Sequence, residues 1–109
     1  VYLQLIEQLE LAIVVGEYPP GEKIPGVRDL AAQAQVNPNT MQRALAELEA
    51  RGLLETQRTA GRTVTGDVEK IAQTRRALAQ TLVHHFYHQA AALGLTKAEI
   101  AALLEQEEA

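Results

Sequence analysis

Two short amphipathic patterns separated by three residues constrain this chain more than anything else in it. In VRDLAAQA, Val27, Leu30, Ala31 and Ala34 recur at helix spacing, and in PNTMQRALAELEA, Met41, Ala44, Leu45 and Leu48 do the same. Only Gln35, Val36 and Asn37 lie between them. Asn37 is a strong N-cap, and Pro38 suits the first helical position because its missing N–H leaves no bond unmade. Gly26 caps the earlier helix less well than a serine would. Glu47 and Arg51 pair one turn apart, and Gly52 stops the second helix. Two helices joined by so short a turn make a helix-turn-helix.

The flanking segments extend that motif. YLQLIEQLELAIVVG places Tyr2, Ile6, Leu9 and Ile13 on one helix face, with Leu5 and Ala12 beside them, and Gly16 can end it. EYPPGEKIPG is too rich in proline and glycine for a helix and reads as an ordered loop with a brief strand at Lys23 and Ile24. LLETQ and RTVTG, rich in Leu, Thr and Val, read as two short strands joined by a tight turn near Ala60 and Gly61. Asp67 opens a long helix reaching about Leu93. Thr96 and Glu99 form a capping box for a last helix, with Leu95 and Ile100 as a hydrophobic staple. That last helix is expected to bury Ile100, Leu103 and Leu104. The fold class is mainly α with a small β-hairpin: a winged helix-turn-helix over 1–66, then a two-helix dimerisation tail over 67–109.

Composition narrows the function. There is no cysteine, so a disulfide framework is excluded and a reducing cytoplasm is the natural home. Serine is also absent, which removes the commonest nucleophile, and no Gly-rich phosphate loop occurs. No catalytic constellation remains and no cofactor is implied, so the chain reads as a non-enzyme. No apolar run is long enough to span a bilayer, and the apolar start has neither a basic region nor a small-residue cleavage site. The net charge of −4 looks wrong for a nucleic-acid binder. Its distribution does not: nine of the ten bases lie between Lys23 and Arg76 against six acids, flanked by acidic ends.

The stretch NPNTMQR sits where a helix-turn-helix presents its second helix to the major groove. Residues there must be short, polar and able to exchange hydrogen bonds. Asn39, Thr40, Gln42 and Arg43 qualify, while Met41 turns inward. Arginine reads guanine through two acceptors, and Gln or Asn reads adenine. Asn39 and Thr40 are also placed for phosphate, which favours a helix N-terminus. The plain alternative is an exposed helix end with generic caps. The preceding helix, the hairpin and the local positive charge tip the reading toward DNA.

PPGEKIPGVRDLAAQAQVNPNTMQRALAELEARGLLETQRTAGRTV resembles the DNA-binding domain of the GntR family of bacterial transcription regulators. PGEK-I-P, V-R-D-L-A, V-N-P-N-T and L-E-x-R-G-L fall in family order over residues 1–66. NPNT-x-QRA and the LGLTKAEIAALLEQ tail are most similar to the YtrA subfamily. The resemblance implies that Arg28, Thr40, Gln42 and Arg43 contact DNA and that the wing, with Arg58, Gly61 and Arg62, enters the minor groove. It also implies a two-fold dimer, and a target among operons for membrane transporters. The chain departs from the pattern twice. Gly26 stands where the family has Ser, and the wing reads Arg58-Thr59-Ala60-Gly61-Arg62-Thr63-Val64, without the family's first glycine or its aromatic. Arg62 is expected to compensate with a phosphate or minor-groove contact.

His84, His85 and His88 give H-H-x-x-H on the long helix, with His84 and His88 on one face as metal ligands could be. With no cysteine, no HExxH and no acid on that turn, a packed helix surface or a pH-sensitive interface is the better reading, and no metal is assigned. The long helix, about 40 Å at the usual rise, is too long for a small winged core to cover. Its stripe of Ile71, Leu78, Leu82, Phe86 and Leu93, with Ile100 and Leu104 on the last helix, is therefore assigned to an interface with a second copy. The chain reads as a homodimeric repressor that binds an inverted repeat in double-stranded DNA. A small-molecule inducer would have to sit between tail and winged domain, or at the dimer interface. The competing class is a winged helix that binds proteins and shows no salt-sensitive duplex binding.

Overall fold

The structure is a computed structural model that describes residues 1–59 and 61–108. Its order is α1 (Tyr2–Val14), α2 (Val27–Ala34), α3 (Pro38–Ala50), β1 (Leu54–Gln57), β2 (Gly61–Val64), α4 (Val68–Ala92) and α5 (Lys97–Glu105). This is a mainly helical winged helix-turn-helix with one antiparallel hairpin. It falls into two compact units, Val1–Arg75 and Arg76–Ala109, with α4 running through both.

In the first unit α3 is the central element, packed by α1, by α2 and by the start of the hairpin. Its inner face is the expected one: Met41, Ala44, Leu45 and Leu48 are all but fully buried. From α1 the buried set is Leu5, Ile6, Leu9, Ala12, Ile13 and Val14, and Tyr2 is half-buried at its first turn. On α2, Leu30 and Ala31 enter the core, whereas Val27 is half-buried and Ala34 exposed. An eight-residue helix has too little face to bury both ends. The turn after it places Gln35 at φ 57°, ψ 46°, a left-handed conformation unusual for a residue with a Cβ.

The caps follow the local chemistry. Asn37 Oδ1 accepts from the Asn39 amide at 2.7 Å, with Pro38 opening α3. Gly52, at φ 82°, takes the chain away from the end of α3. Glu10 on α1, buried but for 11% of its side chain, is met by the Arg51 guanidinium at 2.8 Å, and Arg51 also bonds Glu47 at 2.8 Å. The end of α1 is tied down from α4, where the Arg75 guanidinium donates to the Val14 carbonyl at 2.7 Å. Ile71 is buried in this unit, so the first turns of α4 pack with the winged domain.

In the hairpin Leu54 faces Val64, Glu55 faces Thr63, Thr56 faces Arg62 and Gln57 faces Gly61. Only the base pair, Leu54 and Val64, enters the core. Two strands of this length are marginal alone, and the proline-rich loop supplies support on the far side of β2. Gly21 donates to the Val64 carbonyl (2.9 Å), Val64 to Glu22 (2.9 Å) and Ile24 to Arg62 (3.0 Å), with a bridge pairing Lys23 and Thr63. The brief strand expected at Lys23 and Ile24 is this bridge. Of the turn expected at Ala60 and Gly61, Ala60 lies outside the described residues. Gly61 is the first residue of β2, at φ 78°.

In the second unit Gly94, at φ 92°, ends α4, and the Thr96–Glu99 capping box is formed in both directions. The Glu99 amide donates to the Thr96 hydroxyl (3.2 Å) and the Thr96 amide to the Glu99 carboxylate (2.9 Å). Ile100 is buried and Leu95 half-buried. Leu103 and Leu104, expected in the core, are about half exposed instead. A nine-residue helix presents one narrow face to its own unit, and Ile100 occupies it.

Candidate nucleic-acid interface

The front of α3 carries the candidate recognition residues. Because Met41, Ala44 and Leu45 point inward, helix spacing turns Asn39, Gln42 and Arg43 outward, and all three are exposed. Thr40 is half-buried. The Asn37 side chain takes the Asn39 amide, so the cap fixes where the exposed face begins. The Arg43 guanidinium lies over the ring of Tyr2, 4.7 Å from its centroid. Tyr2 is a participant that sequence spacing did not reveal, since the two residues belong to helices far apart in the chain.

Arg28 lies exposed on the first turn of α2, and Arg58 exposed just beyond β1. Among the described residues neither has a carboxylate partner within ion-pair distance. Gly61 and Arg62 join Lys23, Gly26 and Thr56 in lining an open cleft of about 260 Å³ between the hairpin and the entry to α2. The positive φ of Gly61 explains the residue there, since the space is not unusually tight: an added Cβ would meet Lys23 Cε at 3.5 Å, an ordinary contact.

Arg62 is placed differently from Arg28 and Arg58. Its guanidinium is bound to the Glu49 carboxylate on α3, and the two side chains keep 17% and 30% of their exposure. Burial alone would raise the Glu49 carboxyl, but hydrogen bonds from Arg62 and Thr56, with the Arg62 charge, hold it below the usual glutamate value. Of the Arg62 donors expected to compensate for the altered wing by reaching DNA, Nε is thus engaged with the protein. No local spacing signals such a pair, because it joins a helix to a strand across a turn.

The residues assigned to a copy-to-copy interface divide into two groups. Ile71 and Ile100 are buried by their own chain and Leu78 is half-buried. Leu82 (70% exposed), Phe86, Leu93 (82%) and Leu104 are uncovered, together with Val83, Tyr87 and Leu103. Beside them an open groove of about 560 Å³ is lined by Arg76, Ala79, Gln80, Val83, His84, Tyr87 and Lys97. The His84 and His88 rings pack edge to face, 4.3 Å between centroids. Among the described residues no helix is long and apolar enough to cross a membrane.

Comparison with known proteins bears on this arrangement. Residues 1–64 match the family described as bacterial regulatory proteins, gntR family. The chain is 38% identical over 100 residues to an uncharacterised helix-turn-helix transcriptional regulator of Bacillus subtilis, YhcF, covering 92% of this chain and 83% of that one. It is 32% identical over 93 residues to the transcriptional repressor YtrA of the same organism, covering 80% and 72%. A GntR family transcriptional regulator from Listeria monocytogenes superposes with a TM-score of 0.89 at 36% identity, covering 98% and 94%. The DNA-binding domain of AraR, solved with its operator ORX1, superposes with a TM-score of 0.56 at 31% identity, covering 59% and 77%.

Proposed function

The chain belongs to the gntR family of bacterial regulatory proteins, among its YtrA-like members, and from that premise we propose that it is a homodimeric repressor reading an inverted-repeat operator. Its kind, a DNA-binding helix-turn-helix transcriptional regulator, follows from the family. The finer reading rests above all on the exposed row Asn39, Gln42 and Arg43 at the capped front of α3. Gln42 carries a donor beside an acceptor and Arg43 a pair of donors, the patterns that distinguish bases in the major groove. Arg28, Arg58 and Lys23 supply phosphate contacts, which add affinity and salt dependence without sequence information. Residues 1–66 are the reading domain and 67–109 the dimerisation tail.

A second copy is the occupant proposed for the uncovered stripe of Leu82, Phe86, Leu93 and Leu104. Soluble monomers rarely leave so contiguous an apolar surface open. A two-fold pair would place two recognition helices about one DNA turn apart, so the operator is an inverted repeat. Repression is the sense carried over from YtrA, which is named a repressor.

The test is a titration against a pool of random duplexes at physiological salt, with tight binders selected and sequenced. An inverted repeat should be enriched. Arg43→Ala should weaken that duplex by about 1–3 kcal/mol while leaving random DNA nearly unaffected. Equal loss on both would reduce Arg43 to a phosphate contact. Absence of salt-dependent duplex binding would refute the DNA reading and favour a protein-binding winged helix.

A further inference from the structure

Arg43 stands on Tyr2, and that contact has a role in reading DNA. We propose that Tyr2, outside the helix-turn-helix itself, is a positioning residue that holds the Arg43 guanidinium ready for the duplex. The inference rests on the DNA-reading function proposed above.

Arg43 and Arg62 differ in what their partners consume. Glu49 takes the Nε–H donor of Arg62 and neutralises its charge. A tyrosine ring does neither. A guanidinium stacked on an aromatic face is attracted through its plane, and its N–H groups point outward around the rim. With its Cζ 4.7 Å from the centroid and no side-chain hydrogen bond or ion pair among the described residues, Arg43 keeps donors that a guanine edge or a phosphate would accept. An arginine otherwise free at the surface must surrender most of its rotamer freedom on binding. The ring limits that freedom beforehand.

The platform is itself held firmly. Tyr2 opens α1, whose next turns are fixed on α3 by buried Leu5, Ile6 and Leu9. Further along, the Glu10–Arg51 pair ties the same two helices together. The ring is half-buried, so it is ordered yet still presents a face. α1 thus has two functions: it completes the core and orients a recognition side chain.

The experiment compares wild type with Tyr2→Phe, Tyr2→Leu, Arg43→Ala and the double variant Tyr2→Leu/Arg43→Ala. Binding is measured to the duplex that wild type enriches from the random pool and to a shuffled duplex, with thermal unfolding followed alongside. Tyr2→Phe keeps the ring and should stay within about twofold of wild type. Tyr2→Leu should weaken the enriched duplex about three- to fivefold. In the Arg43→Ala background the same change should cost less than about twofold, because there is nothing left to position. A further variant carries pentafluorophenylalanine at position 2. It preserves ring size but reverses the charge of the face, so it should weaken binding as Tyr2→Leu does, even if Tyr2→Leu unfolds the domain. Equal losses in the two Arg43 backgrounds, or full binding by the fluorinated variant, would overturn the proposal while leaving the regulator function intact. Failure to enrich any duplex would overturn both.

Discussion

Removing the Glu49 carboxylate tests whether the wing is braced from inside the protein. An exposed ion pair contributes about 0.2–1 kcal/mol, whereas removing one member of a fully buried pair costs about 3–5 kcal/mol. The Arg62 and Glu49 side chains keep 17% and 30% of their exposure, between those limits but partly screened by water. Glu49→Ala should therefore cost about 1–2 kcal/mol. For a domain of this size that lowers Tm by about 5–12 °C. The pH dependence has a definite sign. A carboxyl held below its ordinary value adds stability above that ordinary value, and the contribution is lost as pH falls through the folded-state value. Urea unfolding should separate wild type from Glu49→Gln at pH 7, and the two curves should converge below the usual glutamate range. Freed from Glu49, Arg62 gains access to phosphate, so Glu49→Ala should also steepen the salt dependence of DNA binding by about one counterion. Unchanged stability in both Glu49→Ala and Arg62→Ala, with weakened DNA binding only in Arg62→Ala, would refute the brace and return Arg62 to the duplex.

Two further outcomes follow from other parts of the molecule. Leu82→Glu puts a charge into the uncovered stripe of α4 and, if the proposed dimer forms there, should convert it to a monomer in sedimentation velocity, with loss of affinity for the enriched duplex; an unchanged dimer would place the interface elsewhere. Gly52→Ala forces a Cβ into a backbone at φ 82° with Lys70 Cε 3.4 Å away, and should cost about 1–2 kcal/mol in urea unfolding, whereas no loss would mean the turn relaxes freely.

What the sequence made legible was local. Asn37 with Pro38, Gly52, and the Thr96–Glu99 box mark helix ends because each acts on backbone within a turn of itself. Period alone identified the buried row on α3. What escaped was pairing across distance. Glu10 meets Arg51 from 41 positions away, Arg75 reaches the Val14 carbonyl from 61, and Glu49 takes Arg62 from 13 with a turn between. Helix spacing gave the Glu47 partner of Arg51, one turn away, but no short-range pattern encodes these distant ones. Leu103 and Leu104 show the complementary limit: apolar spacing says that a face wants cover, and not whether the same chain supplies it.

The loop bonds along β2 have a consequence for solubility. A two-stranded hairpin ordinarily offers a row of unpaired backbone groups on each outer side, and such rows are templates for another molecule's strand. Here Gly21, Glu22 and Ile24 already bond the outer side of β2 at Val64 and Arg62, which leaves a neighbouring polypeptide little to pair with there. The remaining open side belongs to β1, whose Glu55, Thr56 and Gln57 are exposed and polar, poor material for intermolecular stacking. The proline-rich loop thus acts as gatekeeper for the small sheet, and loosening it would uncover the outer backbone groups of β2.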